Sequence, residues 1–213
     1  MIKMTKRVII SAAGQKDVCR SQKKTLDNLI RERERTIVNL VKPLAIKPRD
    51  LRIERDFTPT SIALSVRDAI KYPSGHRNQR FNTICSEVSA SYFEVWHKDF
   101  SEDGDEYFYL YMAYLQFYIP NKEENTEPEF FLLHSDPNEP GSGKHATYKQ
   151  SLHLHIECND AERPHGVWPR CHIALNVGMV DQVLKDADSF TEALKVTIEM
   201  LKNQVLESRY WKS

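Results

Sequence analysis

The sequence predicts an α+β fold, in which an antiparallel β-sheet is flanked by an N-terminal and a C-terminal amphipathic helix. Near both ends of the chain, apolar residues recur at steps of three and four, which is the spacing of one face of a helix. Between them, residues 85–178 contain short segments that alternate apolar and polar residues or concentrate aromatic and β-branched ones, as strands do. No internal repeat is visible, so we predict one domain over residues 1–213.

The charges are unevenly distributed along the chain, although the formal net charge is zero. Residues 1–55 hold 15 Lys and Arg against 6 Asp and Glu, whereas residues 101–140 hold 10 acidic residues against the single Lys122. A basic front and an acidic middle can attract each other within one molecule, between copies or toward a partner protein. The basic part can also attract nucleic acid.

The first predicted element is a basic helical front over residues 1–57. An apolar stripe from about residue 15 to residue 41 indicates a helix, and Pro43 should end or kink it because proline interrupts helical hydrogen bonding. The stripe consists of Leu26, Ile30, Ile37, Leu40 and Leu44. The other side of this helix carries Lys23, Lys24, Arg31, Arg33 and Arg35. It is either a solvated surface with local ion pairs or, through Lys23, Lys24, Arg31 and Arg35, a contact for the phosphates of nucleic acid.

The middle of the chain is predicted to be mostly strands. Residues 47–57 alternate charged and apolar side chains and are a candidate strand, and residues 58–70 are predicted to form a short helix that begins at a Thr and Ser cluster. Residues 88–97 and 107–119 are rich in aromatic residues, and the acidic segment between them contains Gly104, so we predict an antiparallel hairpin. Residues 129–134 supply a further short strand.

Two later segments carry most of the histidines, since six of the eight lie between His134 and His172. In residues 151–158, His153, His155 and Glu157 fall on one side of a strand and the aliphatic residues on the other. In residues 170–177 the same alternation places His172 on the polar side. If the two strands pair, three imidazoles and a carboxylate share one surface.

This polar surface has three possible roles. Histidines two apart on a strand lie about 6.5–7 Å apart along the chain and can lean toward one ion. We therefore predict that His153, His155, Glu157 and His172 hold a divalent metal that polarises a phosphate or activates water, with His145 or His165 near the substrate. The alternatives are a solvated sheet face and metal-free histidine catalysis.

The C-terminal helix is predicted over residues 188–208. Ser189 and Glu192 have the spacing of a capping box, and one apolar stripe follows, made of Phe190, Ala193, Leu194, Ile198, Leu201 and Val205. This stripe should lie across the apolar side of the sheet and leave the histidine side open.

The cysteines and the hydropathy predict a cytoplasmic protein with no membrane segment. Cys19, Cys85, Cys158 and Cys171 form no CxxC pair, so neither a zinc knuckle nor a disulfide framework is indicated. No long uninterrupted apolar run is present.

Residues 153–155 resemble the histidine-hydrophobic-histidine strand of HUH endonucleases, whose histidines hold a metal while a tyrosine attacks a DNA phosphate. The resemblance implies that Tyr210, with Lys212 after it, is the counterpart of that tyrosine. His153, His155 and Glu157, followed by Pro164, Gly166, His172 and Asn176, are also similar to the two metal motifs of cupins, which implies a small-molecule metal enzyme built on a barrel.

A wider resemblance covers residues 129–206. An aromatic strand, an Asp, Asn and Gly loop, a histidine-rich strand and a terminal helix look like the TumE-type proteins of bacterial toxin-antitoxin systems and related defence-locus proteins. This resemblance implies a small bacterial effector or its accessory partner.

The sequence therefore favours a cytoplasmic bacterial effector that binds, and in one version cleaves, nucleic acid through a histidine-rich metal site. The alternatives are a non-enzymatic interaction component that docks onto a protein partner or a second copy, and a cupin-like metal enzyme. The identity of the metal is left open.

Overall fold

Helices on one side of an antiparallel sheet confirm the predicted α+β class. A computed structural model describes residues 26–100, 102–104, 106–119, 129–136, 152–156, 171–175 and 179–207. The strands are β1 (Arg52–Phe57), β2 (Ser61–Arg67), β3 (Phe81–Asn82), β4 (Ser89–Phe100), β5 (Glu106–Tyr118), β6 (Glu129–Ser135), β7 (His153–Ile156) and β8 (Cys171–Ala174). Their order is β1-β2-β4-β5-β6-β7-β8, every pair is antiparallel, and β3 pairs with β4. The predicted hairpin is β4 and β5, and the sheet also takes in the earlier strands β1 to β3.

The helices begin and end where local chemistry requires it. Helix α1 (Leu26–Val41) is followed by a 3₁₀ turn that contains Pro43, as predicted. A short α2 (Val180–Val183) precedes α3 (Ala187–Leu201), which continues as a π-helical turn, Lys202–Leu206. The N-cap of α3 is Asp186 and not Ser189, because the Asp186 carboxylate accepts from the Ser189 backbone N–H at 2.8 Å. This hydrogen bond lowers the pKa of Asp186.

Residues 58–70 form a tight turn and a strand, so the predicted short helix is wrong. Thr58 and Ser61 close the turn between β1 and β2, with a backbone hydrogen bond of 2.9 Å and a contact of 2.7 Å between their hydroxyls. These side chains were interpreted as a helix start, but they satisfy the hairpin instead. Ile62, Leu64 and Val66 then point toward the core at a period of two.

The sheet has two faces with different partners. The helix face carries Tyr92 and Trp96 of β4, which belong to one core cluster with the apolar stripes of α1 and α3. The far face carries Phe93 and Val95, which form a second, smaller cluster with Ala63 of β2. Side chains alternate between the faces of a strand, so every residue of β4 can be assigned to one of them.

A β-bulge allows both ends of β5 to present aromatic rings on the far face. The register shifts at Val95 and Trp96, which pair with Met112 and Leu110, so Tyr111 is the extra residue. Before the bulge, Phe108 and Leu110 face the helices, and after it Ala113, Leu115 and Phe117 do so. The tyrosines of β5 therefore all lie on the far face, at odd-numbered positions up to the bulge and at even-numbered positions after it. They are Tyr107, Tyr109, Tyr111, Tyr114 and Tyr118.

Arg33 lies in the core, which corrects its predicted place on the charged side of the first helix. It is 3% exposed, and its guanidinium binds both carboxylate oxygens of Glu94, at 3.0 and 2.6 Å. Tyr92 and Trp96 donate to the same carboxylate at 2.7 and 2.9 Å, and Arg33 also donates to Thr191 of α3 at 2.9 Å. Burial alone would lower the pKa of Arg33, but the charge and hydrogen bonds of Glu94 outweigh it and raise this pKa. Burial, with the charge of Glu94, raises the pKa of Tyr92 well above its ordinary value.

Candidate metal centre

Three histidines from two adjacent strands meet on the far face. His134 comes from β6, and His153 and His155 come from β7. His134 pairs directly with His153 in the register of these strands, and His155 follows two residues later on the same face. Leu133 and Leu154 pair across these two strands and belong to the core on the helix side of the sheet. Their neighbours along each strand, His134, His153 and His155, therefore point to the far face. The register of the two strands and the alternation of their side chains therefore bring the three imidazoles together.

The three rings are close enough to share one ion. Their centroids are 3.9 Å apart for His134 and His153, 4.1 Å for His134 and His155, and 4.9 Å for His153 and His155. One ring nitrogen from each lies within 4.8 Å of the others, and the Nε2 atoms of His134 and His153 are in direct contact. Nitrogens bound to one zinc ion at about 2.0–2.1 Å are about 3.4 Å apart in tetrahedral geometry, so the spacing of the three ring nitrogens is of the order that one ion requires.

The site is buried and not on an open face as the sequence predicted. His134, His153 and His155 are 6%, 2% and 7% exposed. A neutral imidazole nitrogen can donate its lone pair to a metal ion, so three imidazoles that meet in one buried place are a candidate ligand set. Burial also excludes water and so strengthens any charge interaction in the site.

A carboxylate and a phenol lie next to the triad. Asp136, one residue after β6, is 1% exposed, and its Oδ2 atom is 3.7 Å from Nε2 of His134. The Tyr114 hydroxyl donates to Oδ1 of Asp136 at 2.9 Å, and the Tyr114 and His134 ring centroids are 4.6 Å apart. Because this carboxylate is near the ring nitrogen that faces the triad, it can compensate the charge of a bound ion.

The predicted metal ligands are only partly assembled by the described residues. His153 and His155 are in the triad, and the predicted pairing of their strand with the next one is confirmed, because His155 pairs with His172 across β7 and β8. The side chain of His172 and the whole of Glu157, His145 and His165 lie outside the described residues, as do Tyr210 and Lys212. The alternation in residues 170–177 also predicts that Ile173 points inward, but this side chain is 42% exposed.

In the sequence, His134 was recognised as one of the clustered histidines, but it was not predicted to be a metal ligand. The signal was present, because His134 ends the strand that was predicted over residues 129–134. What was missing was the knowledge that this strand is the neighbour of β7 and that the register aligns His134 with His153. Asp136 and Tyr114 were missed for the same reason.

Two of the four predicted nucleic-acid contacts, Arg31 and Arg35, lie on the other side of the sheet from the triad. Arg31 and Arg35 are exposed on α1, which packs on the helix face. Lys23 and Lys24 lie outside the described residues. A ligand on this side of α1 therefore cannot contact the triad without reaching around the sheet.

Within the described part of the chain, no helix combines the length and hydropathy that crossing a membrane requires.

Comparisons of the chain with protein-family models, with curated proteins and with solved structures gave no match. The resemblances to HUH endonucleases, cupins and TumE-type proteins therefore stay predictions. The geometry of the three histidines is what supports a functional proposal.

Proposed function

We propose that this protein binds a divalent transition-metal ion through His134, His153 and His155 and uses it to act on a phosphate group of nucleic acid. The observation that carries the proposal is the approach of three buried ring nitrogens to within 4.8 Å of one another. In this proposal the protein is a bacterial effector that binds and cleaves nucleic acid.

The donor set favours one class of ion. Imidazole nitrogen suits zinc, copper, nickel, cobalt and iron, whereas magnesium and calcium prefer oxygen ligands. Three protein ligands leave a coordination position for water or substrate, which is the arrangement of catalytic rather than structural zinc sites. An ion held this way can polarise a phosphate oxygen or lower the pKa of bound water, and both favour phosphate ester hydrolysis.

The neighbouring groups supply what a buried dication needs. Three neutral imidazoles add no negative charge, so the Asp136 carboxylate, 3.7 Å from Nε2 of His134, can act as the counter-charge of a bound ion. The Tyr114 hydroxyl donates to this carboxylate at 2.9 Å. We propose that Asp136 compensates the charge of the ion and that Tyr114 orients Asp136.

A metal titration of the full chain tests the proposal. Zinc at 100 times its dissociation constant should stabilise the protein by about 2.7 kcal/mol, which raises the melting temperature of a domain of this size by about 5–11 °C. Magnesium at the same concentration should give no shift. Equal shifts with both ions, or none with zinc, cobalt and nickel, would contradict a nitrogen-ligated site.

Replacing Asp136 by asparagine should weaken zinc binding by about 10-fold or more, because it removes the carboxylate charge that lies 3.7 Å from Nε2 of His134 and would compensate a bound dication. The dissociation constant can be measured by competition with a chromophoric chelator. Glu192→Gln, the same chemical change on the exposed side of α3, is the matched control and should leave the affinity unchanged. An Asp136→Asn variant that binds zinc as tightly as the unmodified protein would remove Asp136 from the site.

A further inference from the structure

We infer that the far face of the sheet binds single-stranded nucleic acid, with Tyr111 as a stacking platform for a base and Arg77 as a phosphate contact. The inference rests on the proposed function, because it names the substrate class of the metal centre and the surface that carries the substrate to it. This surface is on the opposite side of the sheet from α1, where the sequence predicted the nucleic-acid contacts.

A row of aromatic rings crosses the far face and ends at the metal centre. His76 lies 4.9 Å from Phe93, Phe93 lies 5.1 Å from Tyr114, and Tyr114 lies 4.6 Å from His134, measured between ring centroids. Each ring comes from a different element of the fold: the 3₁₀ turn His76–Asn78, then β4, β5 and β6. Phe93 is fully buried within this row and Tyr114 is partly exposed, so the row joins the surface at Tyr114 to the histidines by packed rings.

Tyr111 is the ring best placed to receive a base. It is the extra residue of the bulge, and His97 stacks on it at 4.2 Å with only 7° between the ring planes. The stack holds the plane of Tyr111, which remains partly exposed. Proteins bind unpaired bases without sequence preference on aromatic side chains presented in this way.

Arg77 supplies a positive charge beside these rings. It is exposed, its guanidinium carbon is 5.9 Å from the centroid of Phe93, and its Nη2 atom is 3.9 Å from the sulfur of Met112. Arg80 lies over the Tyr118 ring at 3.9 Å. Guanidinium groups combine phosphate binding with stacking, so this edge of the far face suits a phosphate backbone that runs beside stacked bases.

Two acidic side chains lie near Arg77. Glu54 of β1 pairs with Arg67 of β2 at 3.1 Å, which reduces the repulsion that phosphate would meet there. Asp56 lies 3.6 Å from His76, but burial lowers the pKa of His76, so this contact does not neutralise Asp56 at neutral pH.

The basic residues of α1 fit a phosphate track less well. Arg33 is buried against Glu94, and Arg55, next to α1, is bound to Glu34 at 2.5 Å. Arg31 and Arg35 are exposed, but the sheet separates them from the triad. Binding through them would place no phosphate near the metal.

The test measures oligonucleotide binding to the full chain by fluorescence anisotropy, with DNA and RNA single strands and the matching duplex. Tyr111→Ala should weaken single-strand binding about 5- to 150-fold, the equivalent of one lost stacking contact. Tyr111→Phe, which keeps the ring, should retain the affinity, and Arg77→Ala should lower it. Lys195→Ala, an exposed cation on α3, is the control.

Salt dependence separates the two surfaces. With Arg77 and Arg80 as the phosphate contacts, log affinity should fall with log salt at a slope of about −1.4, whereas four cations of the first helix would give about −2.8. A duplex that binds as tightly as the single strand, a loss of binding in Arg35→Ala but not in Tyr111→Ala, or no binding at all would overturn the inference. Zinc affinity measured on the same proteins reports separately on the proposed metal centre, because Tyr111 is not a ligand.

Discussion

Replacing His134 by glutamine should weaken zinc binding by more than about 100-fold, because loss of a ligand should exceed the 10- to 100-fold cost of losing an outer partner. The same loss is expected for His155→Gln. Glutamine retains much of the volume of the buried ring, so the fold should survive. Cobalt absorption spectra would show the change directly, since the number of nitrogen ligands falls from three to two.

His97→Gln is the control for this measurement. His97 lies on the same far face but stacks on Tyr111 and is not in the triad, so its replacement should leave zinc affinity unchanged. Melting temperatures in the presence of a chelator report on folding without the metal. If His134→Gln and His97→Gln bind zinc equally well, the ion is not held by the three histidines.

Replacing Arg33 by methionine should destabilise the fold by about 3–5 kcal/mol, because it leaves the carboxylate of Glu94 buried without its charge partner. Glu94 is completely buried, and the remaining donors, Tyr92 and Trp96, are neutral. For a domain of this size the melting temperature should fall by about 6–20 °C. Denaturant unfolding of both proteins measures the difference.

The matched control is Arg35→Met, the same substitution two residues later on α1, where the side chain is exposed. Its effect on stability should stay within about 0.5 kcal/mol. The double variant Arg33→Met, Glu94→Gln should recover part of the loss, since no uncompensated charge remains in the core. Equal stability of Arg33→Met and Arg35→Met would mean that the buried pair contributes nothing to the fold.

Periodicity was sufficient to predict the elements whose burial pattern is local. The stripes of α1 and α3 depend only on which side of each helix is covered, and β4 and β5 are recognisable by their aromatic and β-branched residues, so both signals are visible in the sequence. The prediction of a helix over residues 58–70 was wrong because the Thr and Ser side chains that can start a helix can equally close a hairpin. The competing pattern of Ile62, Leu64 and Val66 was the better guide.

Long-range pairing was not predictable from one sequence. Arg33 lies at a stripe position of α1, four residues from both Leu29 and Ile37, but its charge suggested the solvated side. Only Glu94, 61 residues away, explains its burial. In the same way, His134 became a candidate ligand only once β6 was known to lie between β5 and β7.

The bulge in β5 gives this strand one residue more than its pairing with β4 uses. Without Tyr111, Leu110 would be followed directly by Met112, and the side chains would alternate strictly with each one on its present face. Phe108 and Leu110 would still face the helices, and Tyr107 and Tyr109 would stay on the far face. Deleting Tyr111 should therefore leave the hairpin folded, which means that the chain can vary this ring without disturbing its core.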